Sequence, residues 1–298
     1  MVEPAHSQTP AFAFSKSYTG TPSDDPVELR IPARDGFSLA ATLYGPQPAR
    51  SLVVINSATA VPRRFYRHFA AALVARGHTV LTWDYRGIGG SRPASLRGFS
   101  ARMRDWVLLD MEGVLDWARA QAPERLQLVG HSAGGQLPGL LANPEGIAGM
   151  LTFSSQSGYW RLQGGEQKLA VGLHMHLTLP VSAAVFGYMP WRKFGGDEDL
   201  PQGVAREWAR WCRSRNYLLD DATLPLDRFR RFTAPVLAYS IADDKWGTAA
   251  AVDAMMRAYP NVERRHIPVE AGRIGHFGLF RASSSALWQA PLDWLDRV

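Results

Sequence analysis

Gly130-His131-Ser132-Ala133-Gly134 spells G-x-S-x-G, directly after the apolar run Leu126 to Val129 and at the start of a helix-like stretch. A strand, a sharp turn and a helix are the setting in which a serine is presented with its hydroxyl exposed. The glycines suit that turn, because a Cβ at Gly130 or Gly134 would meet neighbouring backbone while Ser132 itself is held strained. The first N–H groups of the following helix, beginning with that of Ala133, face any negative charge that develops there. A serine hydroxyl is a weak nucleophile and needs a base held by an acid, and behind such an elbow the acid and then the base come later in the chain. Of the eight histidines only His266 and His276 lie in the final segment. His266 falls inside the alternating run Val262 to Ile267, whereas Gly275-His276-Phe277-Gly278 reads as a loop after the last strand, from which an imidazole reaches an elbow serine. The acid belongs at the carboxyl end of the run Val236 to Ile241, where α/β sheets place their sites. Asp243 and Asp244 both qualify, and since adjacent side chains leave on opposite sides only one of them can hold the imidazole. The chemistry of such a set is acyl transfer through a serine ester.

The elements that must position these groups follow from periodicity. Val27, Leu29 and Ile31 alternate with polar residues, a turn follows at Ala33 to Gly36, and Phe37 to Tyr44 alternates again, which predicts an antiparallel hairpin. Leu52-Val53-Val54-Ile55 is a continuous apolar run that suits a strand buried on both faces. From there helix and strand alternate: Arg67 to Ala75 helix, Thr79 to Trp83 strand, Ala101 to Ala120 helix, Leu126 to Val129 strand, Gly134 to Ala142 helix, Met150 to Phe153 strand. The rhythm resumes at Val236 to Ile241 strand, Thr248 to Tyr259 helix, Val262 to Ile267 strand and Ser284 to Arg297 helix. This predicts a mostly parallel α/β sheet with helices on both faces. The interval over residues 156–234 is too long for a structureless loop and is expected to be a helical lid or cap inserted into a core of residues 26–155 and 235–298. Inside it Val204, Trp208, Trp211 and Cys212 recur at helical spacing, and Tyr159, Trp160, Phe186, Tyr188, Met189, Trp191 and Phe194 add an aromatic load that fits a small core or a pocket wall. Residues 1–25, rich in Ser, Thr and Pro, are expected to form a loose arm.

Composition narrows the function. An apolar fraction of 46% and a charged fraction of 20% over 298 residues are globular values and exclude disorder, collagen and disulfide scaffolds. The net charge is +6, but the cationic pairs Arg63-Arg64, Arg230-Arg231 and Arg264-Arg265 are short and scattered among acidic residues, so no nucleic-acid partner is expected. Cys212 is the single cysteine, which forbids an internal disulfide and fits a reducing compartment. His174 and His176 at i, i+2 point apart on a helix and have no third ligand at metal spacing, so no metal is expected. No apolar run approaches the ~18 residues of a membrane span, and the first residues lack the order of a signal peptide, so a cytoplasmic protein without a membrane span is expected. Nothing in the sequence points to an oligomeric state.

The chain resembles the α/β-hydrolase superfamily, in particular its serine aminopeptidase and monoacylglycerol-lipase-like branch. The residues that carry the resemblance are Asp84-Tyr85-Arg86-Gly87-Ile88-Gly89-Gly90-Ser91, similar to a D-x-R-G-x-G-x-S segment after the fourth strand, the elbow at Ser132, the Asp243-Asp244 pair and Gly275-His276-Phe277-Gly278. The resemblance implies Ser132, Asp244 and His276 as the catalytic triad; Asp244 is favoured over Asp243 because Lys245 and the apolar Trp246 follow it. It implies backbone oxyanion donors at Ala133 and Ala58, with Thr59 the alternative to the latter, although Asn56-Ser57 stands where relatives carry His-Gly. No cofactor is implied. The expected activity is hydrolysis of a small acyl substrate, a carboxylic ester with an apolar group. An aminopeptidase, a thioesterase or an acyltransferase would use the same triad, and a ligand-binding protein of this fold without turnover is the reading of another class.

Overall fold

The apolar run Leu52 to Ile55 becomes β3 (Ser51–Asn56), every residue of which is buried, because strands lie on both sides of it and helices cover both faces. The computed structural model describes residues 25–268 and 274–298; the arm expected over residues 1–25 lies, up to residue 24, outside them. Among the described residues the central sheet has eight strands. They are β1 (Val27–Pro32), β2 (Ser38–Tyr44), β3, β4 (Thr79–Trp83), β5 (Arg125–His131) and β6 (Ile147–Phe153), then, beyond a two-stranded hairpin of β7 (Tyr188–Met189) and β8 (Leu200–Pro201), β9 (Val236–Ile241) and β10 (Val262–Ile267). The order is β1-β2-β4-β3-β5-β6-β9-β10. The pairings β1–β2 and β2–β4 are antiparallel and all others parallel. The sheet thus starts as the expected hairpin, with Leu29 opposite Ala41, and continues as a parallel α/β sheet. Chain order reverses at β3, which pairs with β4 on one side and β5 on the other, so the carboxyl ends of β3 and β5 flank the crevice where such sheets bind ligands.

Helices α1 (Arg67–Val74) and α7 (Gln289–Arg297) bury Phe69, Leu73, Leu292 and Leu295 on one face. Helices α2 (Glu112–Ala120) and α6 (Ala249–Met256) bury Val114, Leu115, Val252 and Met255 on the other. At 25 cal/mol per Å², each such fully buried aliphatic side chain stabilises the fold by about 1.5–3 kcal/mol. The outer edge strand β10 carries exposed Arg264 and Arg265, charges of the kind that blunt pairing with another chain. The helix expected from Gly134 to Ala142 is shorter: α3 spans Ala133–Gln136 and the chain then tightens over Leu137–Leu140, since Pro138 has no N–H to continue the ladder.

Between β6 and β9 the chain forms a long helix α4 (Gln167–Phe186), the β7–β8 hairpin and an amphipathic helix α5 (Gln202–Arg213) that buries Val204, Trp211 and Cys212. Val171, Met175, Leu179 and Ala183, three to four residues apart, form the buried face of α4, which packs against α5. Its other face exposes Leu169, Leu173, Leu177, Val181 and Val185. At 20 residues, with a mean hydropathy of 1.6 over an 18-residue window, α4 is long and apolar enough to cross a membrane by length and composition alone, which corrects the expectation that no such run exists. His174, His176, Thr178 and Ser182 interrupt the apolar run without adding fixed charge, so the mean stays high although no unbroken stretch is visible.

Candidate active site

The turn after β5 is as sharp as the glycine pattern requires. Ser132 has φ 51° and ψ −116°, a region that L-residues rarely occupy, and it joins β5 to α3. A Cβ on Gly134 would stand 2.0 Å from the Asn56 carbonyl oxygen, and one on Gly130 would stand 2.5 Å from the Gly135 Cα. The glycines therefore allow the elbow to lie against the end of β3. Ser132 N–H donates to the Phe153 carbonyl at 3.0 Å, tying the turn to β6. The Ala133 amide opens α3, where the first N–H groups have no carbonyl of their own helix to bond.

His276 Nδ1 lies 2.8 Å from Asp244 Oδ2, and the Asp244 side chain is fully buried. Burial alone would raise the Asp244 carboxyl, but the hydrogen bond and charge of His276, with the N–H of Gly247 at 2.7 Å, bring its pKa down to about 2. The carboxylate is then an acceptor only, so Nδ1 carries the proton and Nε2 presents a lone pair. Asp243 turns the other way. Its two oxygens accept the backbone N–H groups of Ile274 and Gly275, each at 2.8 Å, and so hold the loop that carries His276. His266 lies on β10 and bonds the Ser240 hydroxyl through Nδ1 at 2.9 Å, away from this group.

Ser132 and His276 line one cavity of about 270 Å³ together with Ala58, Thr59, Gln156 and the indoles of Trp191, Trp208 and Trp246. Ala58, an expected oxyanion donor, gives its N–H to the Tyr66 hydroxyl at 2.8 Å, so that proton is already engaged. Thr59 also faces the cavity.

The family model described as "Serine aminopeptidase, S33" matches residues 47–184, a span that includes β3, the elbow and most of α4. An esterase from Exiguobacterium antarcticum is similar over 91% of this chain and 100% of its own, with a TM-score of 0.62 at 14% identity. The chain has the α/β-hydrolase fold. The esterase Est1E from Butyrivibrio proteoclasticus, solved with ferulic acid, shares the fold with a TM-score of 0.61 at 18% identity, over 90% of this chain and 98% of that one. A thermophilic esterase from Thermogutta terrifontis, solved with malate, does so with a TM-score of 0.58 at 16% identity, over 91% and 98%. At these identities the likeness is one of fold. No curated protein matches the chain by sequence.

On this α/β-hydrolase scaffold a further pair of residues, absent from the sequence reading, joins the site's loops. Tyr66 accepts the Ala58 N–H and lies 2.9 Å from His131 Nδ1, and His131 Nε2 lies 2.8 Å from the His276 carbonyl oxygen. A carbonyl only accepts, so Nε2 carries the proton and the Tyr66 hydroxyl donates to Nδ1. Burial, with the adjacent His276 imidazole, holds the pKa of His131 down to about 3, consistent with this neutral form. The Asp84 motif supports the same device from below: its carboxylate accepts the Arg63 N–H at 2.6 Å and the Gly90 N–H at 2.8 Å and pairs with the Arg63 guanidinium, fixing the turn that ends in Tyr66. His131 was hidden as the variable position of the elbow motif, and nothing in the sequence links it to Tyr66. Of the aromatics between residues 156 and 234, Trp191 and Trp208 reach the cavity, while Trp211 is core.

Proposed function

We propose that the chain is a serine hydrolase that cleaves carboxylic esters with an apolar acyl or alcohol group through an acyl-enzyme. The observation that carries this reading is that the elbow Ser132 shares a cavity with His276, whose Nδ1 is held at 2.8 Å by a buried carboxylate. His276 Nε2 takes the Ser132 proton as the oxygen attacks the acyl carbon, and it returns that proton to the leaving alcohol. Asp244 keeps the imidazole in the required tautomer and offsets the charge that forms on it. The oxyanion is received by the Ala133 amide and, because Tyr66 holds that of Ala58, by the amide of Thr59. Water, activated by the same imidazole, then releases the acid. Residues 156–234 act as the cap that supplies Trp191 and Trp208 to the cavity, and these indoles support apolar substrates. The buried lone Cys212 supports a reducing, cytoplasmic setting.

Incubation with a fluorophosphonate tests the mechanism: intact mass should rise by one adduct in the native chain and not in Ser132→Ala. A panel of p-nitrophenyl esters, thioesters and aminoacyl anilides then separates ester hydrolysis from its alternatives. Fast anilide cleavage with slow ester cleavage would replace the ester reading with an aminopeptidase.

A further inference from the structure

The walls of the catalytic cavity are unevenly charged. Among the described residues Asp197 is the one carboxylate that lines it and no lysine or arginine does, although the chain as a whole is net +6. The two acids that follow Asp197 are neutralised: Glu198 pairs with Arg192 at 2.7 Å and Asp199 with Arg92 at 3.0 Å. Among the described residues no cation pairs with Asp197. Asp197 stands at the exposed rim of the cavity, beside Gly195 and Gly196 of the same lining.

Beside this carboxylate stands a row of three indoles. The Trp191 and Trp208 rings lie 5.8 Å apart, and Trp208 and Trp246 lie 6.4 Å apart with planes only 20° from parallel. The row is assembled from three separate parts of the chain: the turn after β7, helix α5 and the loop after β9. Gly196 belongs to its construction, since a Cβ there would fall 1.4 Å from Trp191 Cδ1. An indole face carries negative quadrupolar charge and attracts weakly hydrated cations, and a carboxylate at the same site adds to that field.

We infer that the cavity selects substrates whose alcohol or acyl part bears an alkylated ammonium group, with the cation against the Trp191–Trp208–Trp246 wall and Asp197. An alkylated ammonium fits better than a compact ammonium because its charge is spread over methyl groups that also bury apolar area on the rings. This inference rests on the ester reading of the same cavity for its catalytic meaning, but binding can be measured without turnover.

The test compares choline with its neutral carbon isostere, in which a tert-butyl group replaces trimethylammonium, by quenching of tryptophan fluorescence in the intact chain. Choline should bind roughly tenfold tighter, the advantage should shrink as salt is raised, and it should largely vanish in Asp197→Asn, where every indole is retained. Gly196→Ala, which pushes Trp191 aside, should also reduce it. Equal affinity for the two probes, or an undiminished preference in Asp197→Asn, overturns the inference. The matched butyryl esters give the second readout: turnover of both at equal kcat/KM overturns cation selection and keeps the ester reading. Choline preference with neither ester cleaved supports cation selection and sinks the ester reading.

Discussion

The Tyr66 hydroxyl and His131 Nδ1, 65 residues apart in sequence, share a 2.9 Å hydrogen bond that joins the loop after β3 to the elbow at Ser132. The bond continues at both ends, to the Ala58 amide and to the His276 carbonyl. Three loops from three parts of the sheet are thereby set in one mutual position before any substrate arrives.

Tyr66→Phe should therefore be destabilising beyond the loss of one hydroxyl. It strands the Ala58 N–H and His131 Nδ1, both in buried residues, and an unsatisfied buried polar group costs about 1–3 kcal/mol. Urea denaturation should show a lower midpoint by an amount in that range, and an unchanged midpoint would mean that the network contributes nothing.

Two substitutions at Ser132 separate chemistry from strain. Both Ser132→Ala and Ser132→Gly should lose about 10³-fold or more in ester turnover. Ser132→Gly should also unfold at higher denaturant than Ser132→Ala, because φ 51° with ψ −116° is open to glycine and such strain is of order 1–3 kcal/mol. The order of the two midpoints decides whether the elbow stores strain.

The adjacent acids should fail differently. Asp244→Asn keeps the shape but presents an N–H to the imidazole and favours the wrong tautomer, a loss of about 10⁴ in turnover. Asp243→Asn can still accept one of the two amides of Ile274 and Gly275, so it should remain active within about tenfold while losing about 1–3 kcal/mol of stability. Kinetics and melting curves on both purified variants check this, and an inactive, well-folded Asp243→Asn beside an active Asp244→Asn would reverse the roles.

Acid should expose the Asp244–His276 pair. The folded carboxyl pKa lies at about 2 against an ordinary 3.8, so its contribution to stability is complete above the ordinary value and disappears as pH falls from there toward the folded one. At about 1.4 kcal/mol per pKa unit the contribution is of order 2 kcal/mol. The native chain should lose more stability between those two pH values than Asp244→Asn does, and parallel stability curves for the two would refute the assignment.

How much of this was legible in the sequence depended on range. The run Val236 to Ile241 is a strand with those bounds because continuous apolar residues state their own burial, and Val262 to Ile267 keeps its bounds although four of its six residues are exposed. The elbow was legible for a related reason: Gly130 answers a clash with the backbone of Gly134 and Gly135, whereas the partner of Gly134 is the distant Asn56. The orientation of Asp243 and Asp244 followed only in outline, since alternation says that they part but not toward what. Tyr66, His131 and the engaged Ala58 amide were invisible because their partners meet only after β3, β5 and the last loop are assembled. Helix α4 escaped notice for a different cause. Beyond Lys168 in the first turn its polar residues are uncharged and fall on both faces, so neither an unbroken run nor a clean amphipathic stripe marks its length.

The burial of Cys212 has a use at the bench. The sole cysteine packs on α5 behind Gly158 and Tyr217, and burial pushes its thiol pKa far up, so the thiolate that alkylating reagents require is scarcely formed. The native chain is thus chemically silent toward maleimides while folded. A cysteine introduced at Val181 or Val185 on the outer face of α4 would be the only one to react, and a polarity-sensitive dye placed there would report what that face touches without any change to the native residues of the core.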